Sequence, residues 1–206
     1  GAFMEVAEQS QLIVPMGEWA LKQACSHILA WRQQGMPASQ LAVNVAIYQF
    51  TQTDLAATVE GVLAAYEIPA SYLTLEITES IFASQHNRLL AQMERLKSMG
   101  VRLALDDFGT GYSSLSYLHL FPFDEIKVDK TFVQSSLEQC YSREIVRTIV
   151  NLAGVLGAEV VAEGVETVDQ AELMAHLGCH RAQGFLFSHP LPEGGLVALP
   201  EILHPT

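Results

Sequence analysis

Polar residues recur at the C-terminal ends of short apolar runs in this sequence. Asn44 stands in LAVNVA (41–46), Glu76 in YLTLEIT (72–78), and Asp106 with Asp107 closes VRLALDD (101–107). Lys127 and Asp129 stand in DEIKVD (124–129), Glu163 in EVVAEG (159–164) and Gln183 in RAQGFLF (181–187). Glu76, Asp106, Asp107 and Glu163 are hard oxygen donors, and Asn44 adds a neutral one. Such a set suits Mg²⁺ or Mn²⁺ and suits zinc less well. Adjacent carboxylates let one group bridge two ions while its neighbour holds one. Two metals in one site suit phosphodiester hydrolysis, because they activate water and stabilise an in-line displacement. Lys127 suits steadying that water or offsetting charge on the phosphoryl group.

Each residue alone has a plainer reading. A Glu near a strand end is usually a surface ion-pair partner, and a lone Lys is usually a solvated charge. Paired Asp before Gly often forms a turn, and Asn44 alone suits capping of backbone. Their recurrence at one end of six runs is what favours a site. The stretch Asp107-Phe108-Gly109-Thr110-Gly111-Tyr112-Ser113-Ser114 adds glycines that permit tight turns and hydroxyls suited to phosphate or a partner. His176, Cys179 and His180 read as a helix end and turn rather than a zinc cluster, since no matching second half exists. HExxH, GxSxG and P-loop motifs are absent from the sequence. Tyr66, Tyr72 and the phenylalanines read as core.

The elements that must position these residues follow from periodicity. The apolar runs have strand length and several are rich in β-branched residues. Residues 16–34, 53–66, 86–99, 139–156 and 167–177 carry apolar positions at helical spacing. Gly35-Met36-Pro37 is a stop signal, and Gly100, Gly157 and Gly178 stand where helices should end. The repeated βα alternation predicts an α/β class with a mainly parallel sheet. Six strands fall short of the eight of a (β/α)₈ barrel, so the pattern predicts a TIM-barrel-like fold lacking its N-terminal portion. An open, six-stranded doubly wound sheet is the competing fold, ranked second because the Gly-rich turn after the first strand is missing. In both folds the C-terminal strand ends form the active face.

The chain has 206 residues, half of them hydrophobic and 17% charged, which excludes a mostly disordered chain and predicts one domain over 1–206. Its formal charge of −12 argues against DNA or RNA binding, which needs a basic footprint. A phosphate-bearing ligand would have to be attracted by divalent cations. Cys25, Cys140 and Cys179 are odd in number and form no CxxC, which predicts a reducing compartment, a cytoplasmic location and buried thiols. No apolar run approaches the ~20 residues of a membrane span, and no secretory signal is evident. The sequence opens on amphipathic residues Ala2 to Leu12 rather than on Met, which predicts a piece of a longer protein.

FMEVAEQSQLI (3–13), VNVA (43–46), LEITES (75–80), LALDDFGTGYSSLSYL (103–118), IKVDKTFV (126–133), VVAEGVET (160–167) and GCHRAQGFLFSHPLP (178–192) together resemble the EAL domain of bacterial cyclic di-GMP phosphodiesterases. The resemblance covers essentially the whole chain. It implies a modified TIM barrel that cleaves one phosphodiester of cyclic di-GMP to linear pGpG with two Mg²⁺ or Mn²⁺ ions. Asn44, Glu76, Asp106, Asp107 and Glu163 match the metal ligands of that family. Lys127 matches the residue that positions the catalytic water, Gln183 an active-site polar position and Asp129 a further acidic position. Glu79 matches the residue that anchors the loop 107–116, which contains Phe108, Gly109, Thr110 and Gly111. In the family this loop helps organise the metal site and a dimer interface, so the resemblance implies a homodimer through it and a neighbouring helix. Fusion to sensor or GGDEF-type domains, in a parent that can be membrane-tethered, is implied too. The Glu-Ala-Leu tripeptide occurs nowhere in the 206 residues, and the family places it upstream of FMEVAEQSQLI, with its Glu as a further ligand. The smaller departures are Ala46, where Ser is common, and Lys130, where Arg is frequent. The missing Glu keeps two alternatives open, a catalytically inactive cyclic di-GMP receptor and an interaction domain.

Overall fold

The computed structural model describes residues 6–7, 10–36, 40–83, 86–109 and 118–191. By its internal contacts the chain divides into two compact units, Gly1–Ile126 and Lys127–Thr206. The division falls inside one strand.

The first unit begins with α1 (Ile13–Gln33), whose buried Ile13, Leu21, Ala24, Cys25 and Ile28 form one apolar stripe. There follow β1 (Leu41–Asn44), the short α2 (Ile47–Gln52) and α3 (Leu55–Tyr66). Asp54 caps α3, its carboxylate accepting from the Ala57 N–H at 3.0 Å, and both carboxylate oxygens accept from Arg95 Nη1 at 2.9 Å. Next come β2 (Leu73–Thr78), α4 (His86–Met99) and β3 (Arg102–Phe108). The three strands are parallel, with Asn44 opposite Glu76 and Thr78 opposite Asp106.

Residue parity sorts this sheet into two faces. Leu73, Leu75, Ile77, Leu103 and Leu105 share one face and are fully buried. Asn44, Thr74, Glu76, Thr78, Arg102 and Asp106 share the other, as the register requires. The polar residues therefore alternate along the strands rather than gathering only at their ends. Arg102, at the N-terminal end of β3, lies 3.6 Å from the buried Glu125.

β4 (Glu125–Val128) is buried at all four positions and carries the chain into the second unit. There α5 (Lys130–Ser135) and α6 (Cys140–Leu156) precede β5 (Glu159–Ala162), and α7 (Val168–Leu177) precedes β6 (Arg181–Ala182). β5 and β6 are parallel, with Val161 opposite Arg181. Thr167 and Gln170 form a capping box at the start of α7: the Thr167 hydroxyl accepts from the Gln170 N–H at 3.2 Å, and the Gln170 amide oxygen accepts from the Thr167 N–H at 3.1 Å. Gly100, Gly157 and Gly178 all carry positive φ where helices end, as the sequence predicts.

Several expectations need correction. The run 181–187 is a strand only over Arg181–Ala182. Beyond Gln183 the chain folds over Val165, with the Leu186 N–H bonded to the Val165 carbonyl and the Phe187 N–H to the Gly184 carbonyl. That turn leaves Phe185 and Phe187 about half exposed, at 55% and 47%, so these rings are not core. Tyr66 and Tyr72 are half-buried. Cys25 is buried but Cys140 is exposed. Cys140 opens α6 ahead of the stripe Ser142, Val146, Ile149 and Ala153 that packs inward. The two short helices α2 and α5, six residues each, were not expected; neither is long enough to show a period.

Candidate functional site

In the first unit the site residues are placed by strand register. Asn44 ends β1, is exposed, and lies directly opposite Glu76 of β2. Glu76 is buried to 9% exposure, which excludes the surface ion-pair reading of that residue. Asp106 is part-buried and stands on the same sheet face, one strand further along. Opposite-facing neighbours are the rule in a strand, yet Asp106 and Asp107 bring carboxylate oxygens within 4.8 Å of each other. The reason is the Asp107 backbone, which turns left-handed at φ 55°. The Asp107 N–H donates to the Asp106 carboxylate at 3.1 Å, a local bond that supports the turn.

Glu79 follows β2 and is buried. Its carboxylate accepts from the Gly109 N–H at 3.2 Å, so it holds the chain just after Asp107. Phe108 is a core residue at 3% exposure and fixes the same stretch from the apolar side. Gly109 has φ 100°. Thr110 and Gly111 lie outside the described residues.

In the second unit Lys127 is buried to 4% exposure, so it is not a solvated charge. Its ammonium meets the Glu163 carboxylate at 2.7 Å. Glu163 is placed by its own backbone: its N–H donates to the Val128 carbonyl at 3.1 Å and so continues the ladder past β5. Asp129 is buried and caps α5, accepting from the Thr131 N–H at 2.9 Å. Gln183 has an exposed side chain on a bonded backbone, its N–H donating to Ala162 and its carbonyl accepting from Val165. His180 accepts from the Val160 N–H at 2.9 Å through Nδ1, consistent with the structural reading of His176, Cys179 and His180.

Sequence reasoning missed a second tier of buried and half-buried polar residues. Gln49 is 4% exposed and its amide oxygen accepts from the Ala46 N–H at 3.1 Å. Gln92 is 5% exposed; it donates to the Phe50 carbonyl at 2.6 Å and accepts from the Ala56 N–H at 3.3 Å. Asp124 accepts from the Leu103 N–H at 2.8 Å and pairs with Lys97. The one legible signal was the Ala-x-x-Gln spacing at 46–49, which is a capping box without its hydroxyl.

Comparison with known proteins places this arrangement. The Pseudomonas aeruginosa "Bifunctional diguanylate cyclase/cyclic di-GMP phosphodiesterase MucR" is 40% identical over 198 residues, covering 96% of this chain and 29% of MucR. The solved MucR phosphodiesterase in complex with c-di-GMP matches with a TM-score of 0.89 over 95% of this chain and 79% of that one. The EAL enzyme Bd1971, bound to cAMP and cyclic-di-GMP, matches with a TM-score of 0.90 at 29% identity over 97% and 55% of the two chains. Klebsiella pneumoniae BlrP1 with manganese and cy-diGMP matches with a TM-score of 0.74 at 31% identity over 84% and 44%. The chain spans roughly a quarter to a third of the length of the curated relatives it matches. The fold is the TIM-barrel-like fold of these domains. The EAL domain family model matches residues 1–190, across the strand ends that carry every acid described above, and the chain belongs to that family.

Proposed function

We propose that this chain forms the catalytic domain, over residues 1–206, of a phosphodiesterase that opens cyclic di-GMP to linear pGpG with two Mg²⁺ or Mn²⁺ ions. The observation that carries the reading is the shared sheet face of Asn44, Glu76 and Asp106, with Asp107 folded back beside Asp106, in a chain of the EAL family. The donor set fits such ions: four carboxylates and an amide, all oxygen, with no thiol or imidazole among them. Asn44, Glu76, Asp106, Asp107 and Glu163 would hold the ions, which supply Lewis-acid polarisation and an activated water when bound. Manganese and cyclic di-GMP together in BlrP1 support the choice.

The protein groups have separable tasks. Lys127, held by Glu163, keeps a fixed ammonium that orients the attacking water and offsets charge on the phosphoryl oxygens. Glu79 fixes the start of the 107–116 loop through Gly109. Gln183 offers an exposed amide to the nucleotide, and Asp129 supplies a further acid beside Lys127 in sequence. The domain works in a homodimer through the loop after Asp107 and a neighbouring helix. It is fused to sensor or GGDEF-type domains on the cytoplasmic side, as the bifunctional name of MucR suggests. Among the described residues no helix is long and apolar enough to cross a membrane.

The test is a chromatographic assay of the full-length protein with cyclic di-GMP and Mg²⁺ or Mn²⁺. Product pGpG is expected from the parent and not from Asp106→Ala or Asp107→Ala. Undiminished turnover in either variant overturns the site. Saturable nucleotide binding without product, in the parent itself, makes the protein a receptor instead.

A further inference from the structure

Gly17 is an interior residue of α1, where glycine is disfavoured against alanine. Its position has a clear reason. A Cβ at Gly17 would stand 2.0 Å from Gln49 Nε2 and 2.6 Å from its Cδ. The Gln49 amide lies against the bare helix backbone, and it is buried there to 4% exposure. From that seat its oxygen accepts the Ala46 N–H at 3.1 Å. Ala46 is the N-cap of α2 and has no side-chain oxygen of its own to offer. Immediately before it, the Val45 N–H donates to the Glu76 carbonyl at 2.9 Å. Two consecutive peptide N–H groups after Asn44 are thus committed, one to β2 and one to Gln49.

We propose that Gln49, seated on Gly17, is a positioning residue for Asn44. By fixing the peptide that leaves β1, it holds the Asn44 amide in register beside Glu76. The inference rests on the reading of Asn44 as a metal ligand. Groups that orient a ligand commonly change metal affinity 10- to 100-fold. Gln49 acts through two intervening residues, so about tenfold is expected.

The experiment measures Mn²⁺ binding to the full chain by the electron paramagnetic resonance of free Mn²⁺, with melting recorded in parallel. The variants are Gln49→Ala, Gly17→Ala, their combination, Asn44→Ala, and Val62→Ala as a core control. Gly17→Ala is the sharper variant. It improves helix propensity and displaces only the end of a flexible side chain, so cooperative melting is retained. Gln49→Ala and Gly17→Ala should each weaken Mn²⁺ binding about tenfold, and the double variant no more than Gln49→Ala alone. Val62→Ala should lower the melting temperature and leave Mn²⁺ binding unchanged, which separates positioning from general loosening. Parent-like binding in Gln49→Ala and Gly17→Ala, with loss in Asn44→Ala, overturns the inference alone. Parent-like binding in Asn44→Ala overturns both the inference and the ligand reading beneath it.

Discussion

The left-handed torsion at Asp107 accomplishes what a regular strand forbids, bringing two successive carboxylates to one side. An ordinary L-residue in that conformation costs about 1–2 kcal/mol, and Asp is among the few that tolerate it through local bonding. The sequence displayed the two acids but not the torsion, because adjacency in a strand ordinarily means opposite faces. Lys127 shows the same limit: its type suggests solvent, and only the burial of β4 and the Glu163 pair reveal otherwise. The cysteines divide likewise. Burial pushes the Cys25 thiol up and the Cys179 thiol up to about 11, while Cys140 is exposed. A thiolate is the reactive form, so a folded-state titration with an aromatic disulfide at pH 8 should modify Cys140 alone. Raising the pH toward 11 should bring in Cys179; modification of Cys25 and Cys179 at the rate of Cys140 would contradict the burial described.

Elements were legible where a period could repeat. Helix α4 matches its predicted span of 86–99, and α6 and α7 begin one residue late. The failure at 181–187 came from a tertiary contact that no local pattern encodes. At Gly184 a Cβ would meet the Val165 carbonyl oxygen at 2.1 Å and the Val165 nitrogen at 2.4 Å, so the turn needs a residue without one. Backbone cannot yield as a side-chain tip can. Gly184→Ala should therefore cost about 1–3 kcal/mol, the range for overpacking a tight site. Gly154, within α6, has nothing within 4 Å of a built Cβ. Gly154→Ala should instead stabilise by up to about 1 kcal/mol. Denaturant unfolding of both variants checks the opposite signs; equal effects would mean that the Val165 contact does not govern the turn.

At the scale of the whole molecule, the sequence conveyed the α/β class, the strand count and which runs bear acids, since all three follow from composition along the chain. The supports, buried Gln49 and Gln92 and half-buried Asp124, escaped because a polar residue looks the same before its partner is known. A chain of formal charge −12 that clusters acids on one sheet face should be stabilised by cations that occupy the site. At a hundredfold excess of Mn²⁺ over its dissociation constant the gain is about 2.7 kcal/mol. Melting should shift upward with Mn²⁺ and return with a chelator, and Asp106→Asn should blunt the shift; a cation-independent melt would count against the site. The seat of Lys127 has an analytical consequence as well. The chain has only four lysines, at 22, 97, 127 and 130. Lys22 and Lys130 stand in solvent, Lys97 is about one-third exposed, and the Lys127 side chain is 5% exposed. Amine footprinting read by mass spectrometry should label Lys22 and Lys130 first and Lys127 last, giving a built-in reporter of the moment the Lys127–Glu163 seat opens.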